Sequence, residues 1–161
     1  MKEYSKEELL AVWENGTVEE KELLTLTMQA INQKRERQSA YLSGFMGLKG
    51  KFIAEDVYEF RIPVTSFMMN RAGIVHGGIT ATIADSTMGS LINQLLPDGY
   101  GAVTSEMKVN YLKPGIGKEL ISQAKLVHQG QQLVVAQCEI KNESGKKIAF
   151  ASGSFYVIKR R

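Results

Sequence analysis

The residues with the clearest chemical potential lie in the segment 70–96, NRAGIVHGGITATIADSTMGSLINQLL. Between Gly77 and Leu96 the one ionisable side chain is Asp85, among apolar and small polar residues. This composition predicts a helix that is buried all round. A carboxylate in such a helix is costly unless it is hydrogen-bonded, paired or neutralised. We therefore interpret Asp85 as a candidate general base or nucleophile. A capping role or a small solvent-exposed position is the alternative.

The glycine pair before this helix is a candidate site for a carbonyl oxygen. Gly77 and Gly78 lie at the predicted helix start, where free backbone N–H groups and the helix dipole favour negative charge. Such groups can stabilise an oxyanion that develops on a carbonyl. A tight turn that needs glycine dihedral angles is the alternative. His76 is interpreted as a binding or orienting residue, ahead of a base or a purely structural histidine.

The spacing of these groups has a geometric consequence. Asp85 lies eight residues beyond Gly77, which is roughly 12 Å along a helix. One substrate carbonyl therefore cannot contact both groups on the same helix. If both act on it, a second, antiparallel copy of the helix must supply one of them, as in a two-fold homodimer with two equivalent sites at its interface.

Two helices are predicted ahead of this segment, each opened by a capping box. They form the N-terminal extension, residues 1–44, of a chain whose remaining residues, 45–161, make up the main domain. The helices cover residues 5–14, with Ser5 and Glu8 as the capping box, and residues 17 to about Gln38, with Thr17 and Glu20.

The rest of the chain predicts strands. Residues 51–62 alternate as one strand, with a break in phase near Ala54. Four strands follow the central helix, and the short turns between them predict an antiparallel meander. A long helix wrapped by a curved antiparallel sheet is an α+β architecture. The four strands are AVTSEMKVNYLK, ELISQAKLVHQ, QLVVAQCEIKN and KIAFASGSFYVI; the first places Val103, Met107, Val109 and Tyr111 on one face and Glu106 and Lys108 on the other.

Composition narrows the functional classes. A net charge of +3 is too small to indicate nucleic-acid binding. Cys138 is the single cysteine, so no internal disulfide can form and a buried reduced thiol is expected. The start does not resemble a signal peptide, and no apolar stretch reaches membrane-spanning length. We expect a cytoplasmic protein without a membrane partner, and no bound metal, because His76, His128 and Cys138 form no ligand pattern.

The motif in the opening segment is characteristic of a known family. Asn70, His76 and Asp85 define the pattern Asn-x5-His-Gly-Gly-x6-Asp. Together with VTSEMKVNYLKPG at residues 103–115, it resembles the hotdog-fold acyl-CoA thioesterases of the phenylacetate-pathway (PaaI-like) type, over roughly residues 45–158. The resemblance implies a sheet wrapped around a long central helix and dimers that often pair into tetramers. It also implies hydrolysis of an acyl-CoA thioester to a free acid and coenzyme A, without a separate cofactor.

The resemblance also assigns roles by position. Asp85 is expected to act as base or nucleophile on a thioester held by the other subunit, and Gly77 N–H to polarise the carbonyl. Asn70 and His76 help to place the carbonyl or the attacking water. Thr104 stands where relatives often have a serine that orients the water. Lys113, Pro114 and Gly115 fall where relatives approach coenzyme A, with Lys113 as a phosphate partner.

Two other functions stay open at this point. One is a hotdog dehydratase or hydratase that acts on an acyl thioester, which is expected to use a differently spaced histidine. The other is an acyl-CoA-binding or sensing protein without turnover, with the N-terminal helices as its effector module. Substitution of Asp85 by asparagine separates the thioesterase from the sensor, since a sensor does not need this carboxylate.

Overall fold

The computed structural model describes residues 3–37 and 39–160. The chain divides into two compact units, which are described separately. One unit comprises the residues up to Leu48 and Thr65–Phe67. The other comprises Lys49–Val64 and the residues from Met68 onward. The predicted division into residues 1–44 and 45–161 stays a prediction.

The first unit is helical, with α1 at Lys6–Asn15, α2 at Val18–Arg37 and α3 at Tyr41–Phe45. Both predicted capping boxes are confirmed. The Ser5 hydroxyl accepts from Glu8 N (3.2 Å), and the Glu8 carboxylate accepts from Ser5 N (2.8 Å). Thr17 and Glu20 make the same pair of bonds at 3.2 and 2.7 Å. The predicted end of the second helix at Gln38 lies outside the described residues.

Close packing of small residues joins α2 to α3. A Cβ on Gly44 would lie 2.4 Å from the Cα of Ala30, so only glycine permits this approach. The Gln29 side chain donates to the Gly44 carbonyl at 2.6 Å. The segment Thr65–Phe67 is tied to the same unit because Ser66 N donates to the Glu22 carboxylate at 2.9 Å.

The second unit contains a six-stranded antiparallel sheet and one long helix, α4, at Gly77–Leu95. The strands lie in the order β1-β2-β4-β5-β6-β3. They are β1 Gly50–Ala54, β2 Val57–Pro63, β3 Tyr100–Tyr111, β4 Glu119–Gln129, β5 Leu133–Asn142 and β6 Lys147–Lys159. The predicted α+β architecture, a sheet around a central helix with N-terminal helices, is confirmed.

Two predicted details of the sheet are wrong. Residues 51–62 form the hairpin β1–β2 rather than one strand, and the break in phase near Ala54 marks its turn at Glu55 and Asp56. The four later strands are not a simple meander, because β3 pairs with β6 and not with β4. The connection from β3 to β4 contains Pro114 and two glycines, and it leads the chain away from β3 instead of folding back on it.

Helix α4 packs on the sheet through one face. Its buried residues are Thr80, Ile83, Ala84, Thr87, Met88, Leu91 and Ile92. The opposite face is half-exposed and consists mostly of small residues, namely Ala81, Thr82, Asp85, Ser86, Gly89 and Ser90. The prediction that the helix is buried all round is therefore wrong for the single chain, and Asp85 is half-buried. A sheet covers only one side of a helix, and the sequence does not show what covers the other.

A β-bulge in β3 reverses the alternation of its side chains. Thr104 pairs with Phe155 and Glu106 with Ser154, so Ser105 is an extra residue. The predicted grouping of Val103 with the apolar residues after the bulge is therefore wrong. Val103 lies on the other face and is 47% exposed.

Three buried polar side chains in contact link α4 to the sheet. The Thr87 and Ser122 hydroxyls are 2.6 Å apart, and Ser122 Oγ lies 3.1 Å from Cys138 Sγ. Burial raises the pKa of the Cys138 thiol to about 11, against smaller opposing effects of the two hydroxyls. The prediction of a buried, unpaired cysteine is confirmed. None of the described helices combines the length and apolar character that a membrane span requires.

Candidate active site

Helix α4 presents predicted site residues at two places, its first turn and its middle. The first turn begins at Gly77, with His76 as the N-cap. The middle carries Asp85, which is more than two turns further along the helix. The two places have different neighbours and are described in turn.

The His76 side chain caps the helix. Its Nδ1 accepts a hydrogen bond from Gly78 N at 2.9 Å, so in the neutral ring the proton is carried by Nε2. His76 N in turn donates to Met68 O at 2.8 Å. The imidazole is exposed, and Nε2 is then a hydrogen-bond donor without a partner among the described residues. This geometry explains why a histidine suits the N-cap, and it favours an orienting role over proton abstraction.

Two groups of hydrogen-bond donors at the helix start have no partner among the described residues. The first is Gly77 N–H, since the first N–H groups of a helix have no intrahelical acceptor. The second is the Asn70 Nδ2 group. The Asn70 Oδ1 atom accepts from Ala72 N (2.8 Å) and Ile74 N (3.4 Å). These bonds form a local turn and orient the amide so that its donors are free.

Tyr111, the last residue of β3, contacts the first residue of α4. Its hydroxyl donates to the Gly77 carbonyl at 3.0 Å, and a Cβ on Gly77 would lie 3.6 Å from the Tyr111 ring. Tyr111 was predicted only as an apolar residue of a strand and not as a site residue. Its position in the sequence, two residues before the predicted coenzyme A contact Lys113, could have indicated that its hydroxyl lies near the site.

A cavity of about 370 Å³ opens beside the helix start. Its walls combine predicted site residues with apolar side chains. They are Asn70, Ile74, Val75, Gly77, Thr80, Tyr111, Leu112, Lys113, Pro114, Gly115 and Ile148. The structure therefore brings together five predicted site residues from two distant segments, namely Asn70 and Gly77 from one and Lys113, Pro114 and Gly115 from the other. His76 lies next to the cavity, outside the set of residues that line it.

The loop 112–118 forms one wall of this cavity and is fixed by backbone contacts. Val75 N donates to Gly115 O at 2.9 Å. A Cβ on Gly115 would lie 2.9 Å from Val75 Cβ, so a side chain there would push the two segments apart. Lys113 is exposed and forms no salt bridge with a described residue, which leaves its ammonium group available to an anion.

The second place on α4 joins Asp85 to Thr104. The Thr104 hydroxyl donates to Asp85 Oδ1 at 2.6 Å. This distance is typical of a charge-assisted hydrogen bond. The bond orients the carboxylate and leaves Oδ2 without a partner among the described residues. Neither residue lines the cavity at the helix start, so one chain holds the two halves of the predicted site apart.

The described residues contain no group of three or more His, Cys, Asp or Glu side chains that could hold a metal ion. The chemical groups at the two places are a half-buried carboxylate, hydroxyl groups, and backbone and amide donors. Such groups can polarise a carbonyl and activate a water molecule or attack directly.

Comparisons with known proteins agree with this geometry. The family model of the thioesterase superfamily matches residues 72–149, which include the helix start, Asp85 and Thr104. A provisionally named esterase from Saccharolobus solfataricus is 31% identical, over 70% of this chain and 76% of its own length. The acyl-coenzyme A thioesterase PaaI from Escherichia coli is 33% identical, over 59% of this chain and 66% of its own.

A solved structure is similar to this chain over a longer range of residues. A Bacillus halodurans protein, crystallised with CoA, is 35% identical and superposes with a TM-score of 0.84. The match covers 92% of this chain and 99% of that one, so it reaches into the N-terminal 44 residues.

The chain belongs to the thioesterase superfamily. The predicted hotdog fold, the resemblance to PaaI-like thioesterases and the class of thioester hydrolase are confirmed.

Proposed function

We propose that the protein is an acyl-CoA thioesterase whose site is completed at the interface of a homodimer. The observation that carries this proposal is the separation of the two halves of the site along one helix. Asp85 with Thr104 lies about 12 Å from Gly77, too far for one carbonyl carbon to react at both. A two-fold axis beside α4 would bring Asp85 of one subunit to the helix start of the other.

The exposed face of α4 supports this arrangement. Around Asp85 it carries Ala81, Ser86 and Gly89, which are half-exposed in the single chain. Small side chains let two helix backbones approach closely, and pairing would cover the side of the helix that the sheet leaves open. The homodimer is the minimal active form in this proposal. Two such dimers can pair into a homotetramer without changing the sites.

Each group then has one role in hydrolysis. Gly77 N–H and the Asn70 amide donate to the thioester oxygen, and the exposed His76 ring helps to place the substrate. Asp85 either removes a proton from water, which attacks the carbonyl carbon, or attacks that carbon itself before water releases the acid. The C–S bond breaks, and the coenzyme A thiolate is protonated. Thr104 orients the carboxylate in both routes.

Coenzyme A is the proposed leaving group because of the cavity and the relatives. The loop with Lys113, Pro114 and Gly115 forms a wall of the cavity beside the helix start. The exposed Lys113 ammonium suits a phosphate of the nucleotide. The Bacillus halodurans structure contains CoA, and PaaI is named for acyl-coenzyme A. These findings support a coenzyme A thioester as the substrate class.

The direct test is release of free thiol from a panel of aryl-CoA and fatty-acyl-CoA thioesters. Wild-type protein is expected to hydrolyse at least one of them, and Asp85→Asn to lose turnover while it still binds the substrate. Turnover that survives in Asp85→Asn contradicts the assigned role. Tight binding by both proteins, without thiol release from any thioester, indicates a sensor instead of an enzyme.

A further inference from the structure

Strand β3 contacts both halves of the site with side chains that a regular strand would place on opposite faces. Thr104 donates to Asp85 in the middle of α4, and Tyr111 donates to the Gly77 carbonyl at its start. The two residues are seven positions apart. Side chains alternate in a regular strand, so an odd separation would direct one of them away from the helix.

The β-bulge at Ser105 removes this conflict. The extra residue shifts the alternation by one position between Thr104 and Tyr111, so that both side chains face α4. The Ser105 hydroxyl donates to Ser154 O at 2.9 Å, which ties the bulged residue to the neighbouring strand.

The bond from Tyr111 fixes one peptide group at the helix start. The peptide that joins Gly77 to Gly78 has its carbonyl bound by the Tyr111 hydroxyl (3.0 Å) and its N–H bound by His76 Nδ1 (2.9 Å). The preceding peptide, which carries Gly77 N–H, has its carbonyl bound by Thr80 N at 3.0 Å. Side chains from two segments therefore hold the turn on which the free N–H sits.

We infer that Tyr111 is a positioning residue for thioester hydrolysis. It holds the first peptide of α4 in the orientation in which Gly77 N–H can donate to the substrate oxygen. The bulge at Ser105 allows the Tyr111 side chain to reach Gly77 while Thr104 remains hydrogen-bonded to Asp85. This inference rests on the proposed function. Tyr111 acts through the peptide backbone, since its hydroxyl is bonded to the Gly77 carbonyl.

The test begins with Tyr111→Phe, which removes the hydroxyl and keeps the ring against Gly77. Loss of one neutral hydrogen bond corresponds to a factor of about 2 to 13. We expect kcat to fall within this range, with KM changed less than about twofold, because the bond matters most when charge develops on the oxygen. Tyr156→Phe is the matched control; Tyr156 is 45% exposed and lies outside the site.

Two further measurements separate positioning from a role as a cavity wall. A thioether analogue of the substrate lacks the carbonyl oxygen, so its Kd should be the same for wild type and Tyr111→Phe. Replacement of Tyr111 with 4-aminophenylalanine restores a donor on the ring and should recover part of kcat. This second variant also controls for any general loss of folding in the first.

Backbone hydrogen exchange tests the inference without any turnover. The Gly78 amide should exchange about 2 to 13 times faster in Tyr111→Phe, because its peptide has lost one of two side-chain bonds. Unchanged kcat with unchanged Gly78 exchange overturns the inference, as does equal weakening of kcat/KM and thioether binding. If wild type hydrolyses no thioester, the proposed function fails, and Gly78 exchange still decides whether Tyr111 holds the peptide.

Discussion

Replacement of Gly77 by proline would remove the proposed oxyanion donor and leave the helix intact. Gly77 is the first residue of α4, a position where proline is common because its missing N–H has no intrahelical acceptor. His76 has ψ 136°, within the range that suits a residue before proline. A Cβ at Gly77 meets the Tyr111 ring at 3.6 Å, an ordinary contact.

The expected loss follows from the role of the N–H. Removal of one oxyanion donor lowers kcat by about 10²–10³, or about 2.7–4 kcal/mol in the activation free energy. The stability of the fold should stay the same or rise by up to about 1 kcal/mol, because proline restricts the unfolded chain. Gly77→Ala is the matched control, since it adds a Cβ and keeps the N–H. It should stay within about tenfold of wild type.

Thiol release measures the rates, and thermal unfolding measures the stability of the same preparations. A Gly77→Pro protein that folds normally and keeps kcat within tenfold of wild type would show that Gly77 N–H is not an oxyanion donor. If Gly77→Ala loses as much activity as Gly77→Pro, the loss comes from the added side chain and not from the missing N–H. Binding of a thioether analogue to Gly77→Pro checks that the proline ring leaves the cavity open.

The same variant tests whether two chains share each site. As separate homodimers, Asp85→Asn is expected to lose turnover and Gly77→Pro to keep at most about a hundredth of it. A mixed dimer, isolated with two different affinity tags, contains one site with both wild-type groups and one with neither, so it should show about half of the wild-type activity. A mixed dimer without activity would show that Asp85 and Gly77 act within the same chain.

Three further predictions concern single side chains. Thr104→Val removes the bond to the Asp85 carboxylate, the proposed base or nucleophile, and should lower kcat/KM about tenfold, for a charge-assisted bond of about 1.5 kcal/mol, whereas Thr104→Ser should stay near wild type; thiol release measures both. Because burial holds the Cys138 pKa at about 11, a disulfide reagent at pH 8 should label this thiol only after unfolding in guanidinium. Burial tends to raise the pKa of Glu139, but hydrogen bonds from Lys141 and Lys147 outweigh it and lower that pKa. The ionised Glu139 carboxylate therefore stabilises the fold above the unfolded-state pKa of 4.5, and this effect is lost as the pH falls through the lowered folded-state pKa. Glu139→Gln should cost about 0.5–1 kcal/mol at pH 7 and nothing at pH 2 in urea unfolding; an equal loss at both would refute the ionic origin.

The sequence predicts well those features that depend on local patterns. The two capping boxes need only residues three positions apart, and both form. The helix of residues 77–95 follows from its apolar composition and the glycine pair before it. The contact between Asp85 and Thr104 was not predicted as a contact, although both residues were named as parts of the site.

Features that depend on pairing between distant segments could not be read from the sequence. Residues 100–111 do not indicate whether they pair with β4 or with β6, because apolar and polar residues alternate similarly in both strands. The bulge could not be predicted either, because Ser105 resembles any polar residue of a strand. The bulge reverses the alternation of side chains and so places Val103 on the face opposite to the predicted one. Asp85 is half-buried because the sheet covers the opposite side of α4. A single sequence does not show which side of the helix the sheet covers.

The pairing of β3 with β6 also bears on how the molecule is made. Tyr100 pairs with Lys159 and Tyr111 with Ala149, so this contact joins segments roughly 40 to 60 residues apart, a separation that slows folding. During synthesis the strand that supports Asp85 and the first turn of α4 emerges well before its partner. The edge of β3 that pairs with β6 stays unpaired until β6 has left the ribosome. Until then the nascent chain exposes backbone groups that can pair with another chain, and such edges favour aggregation.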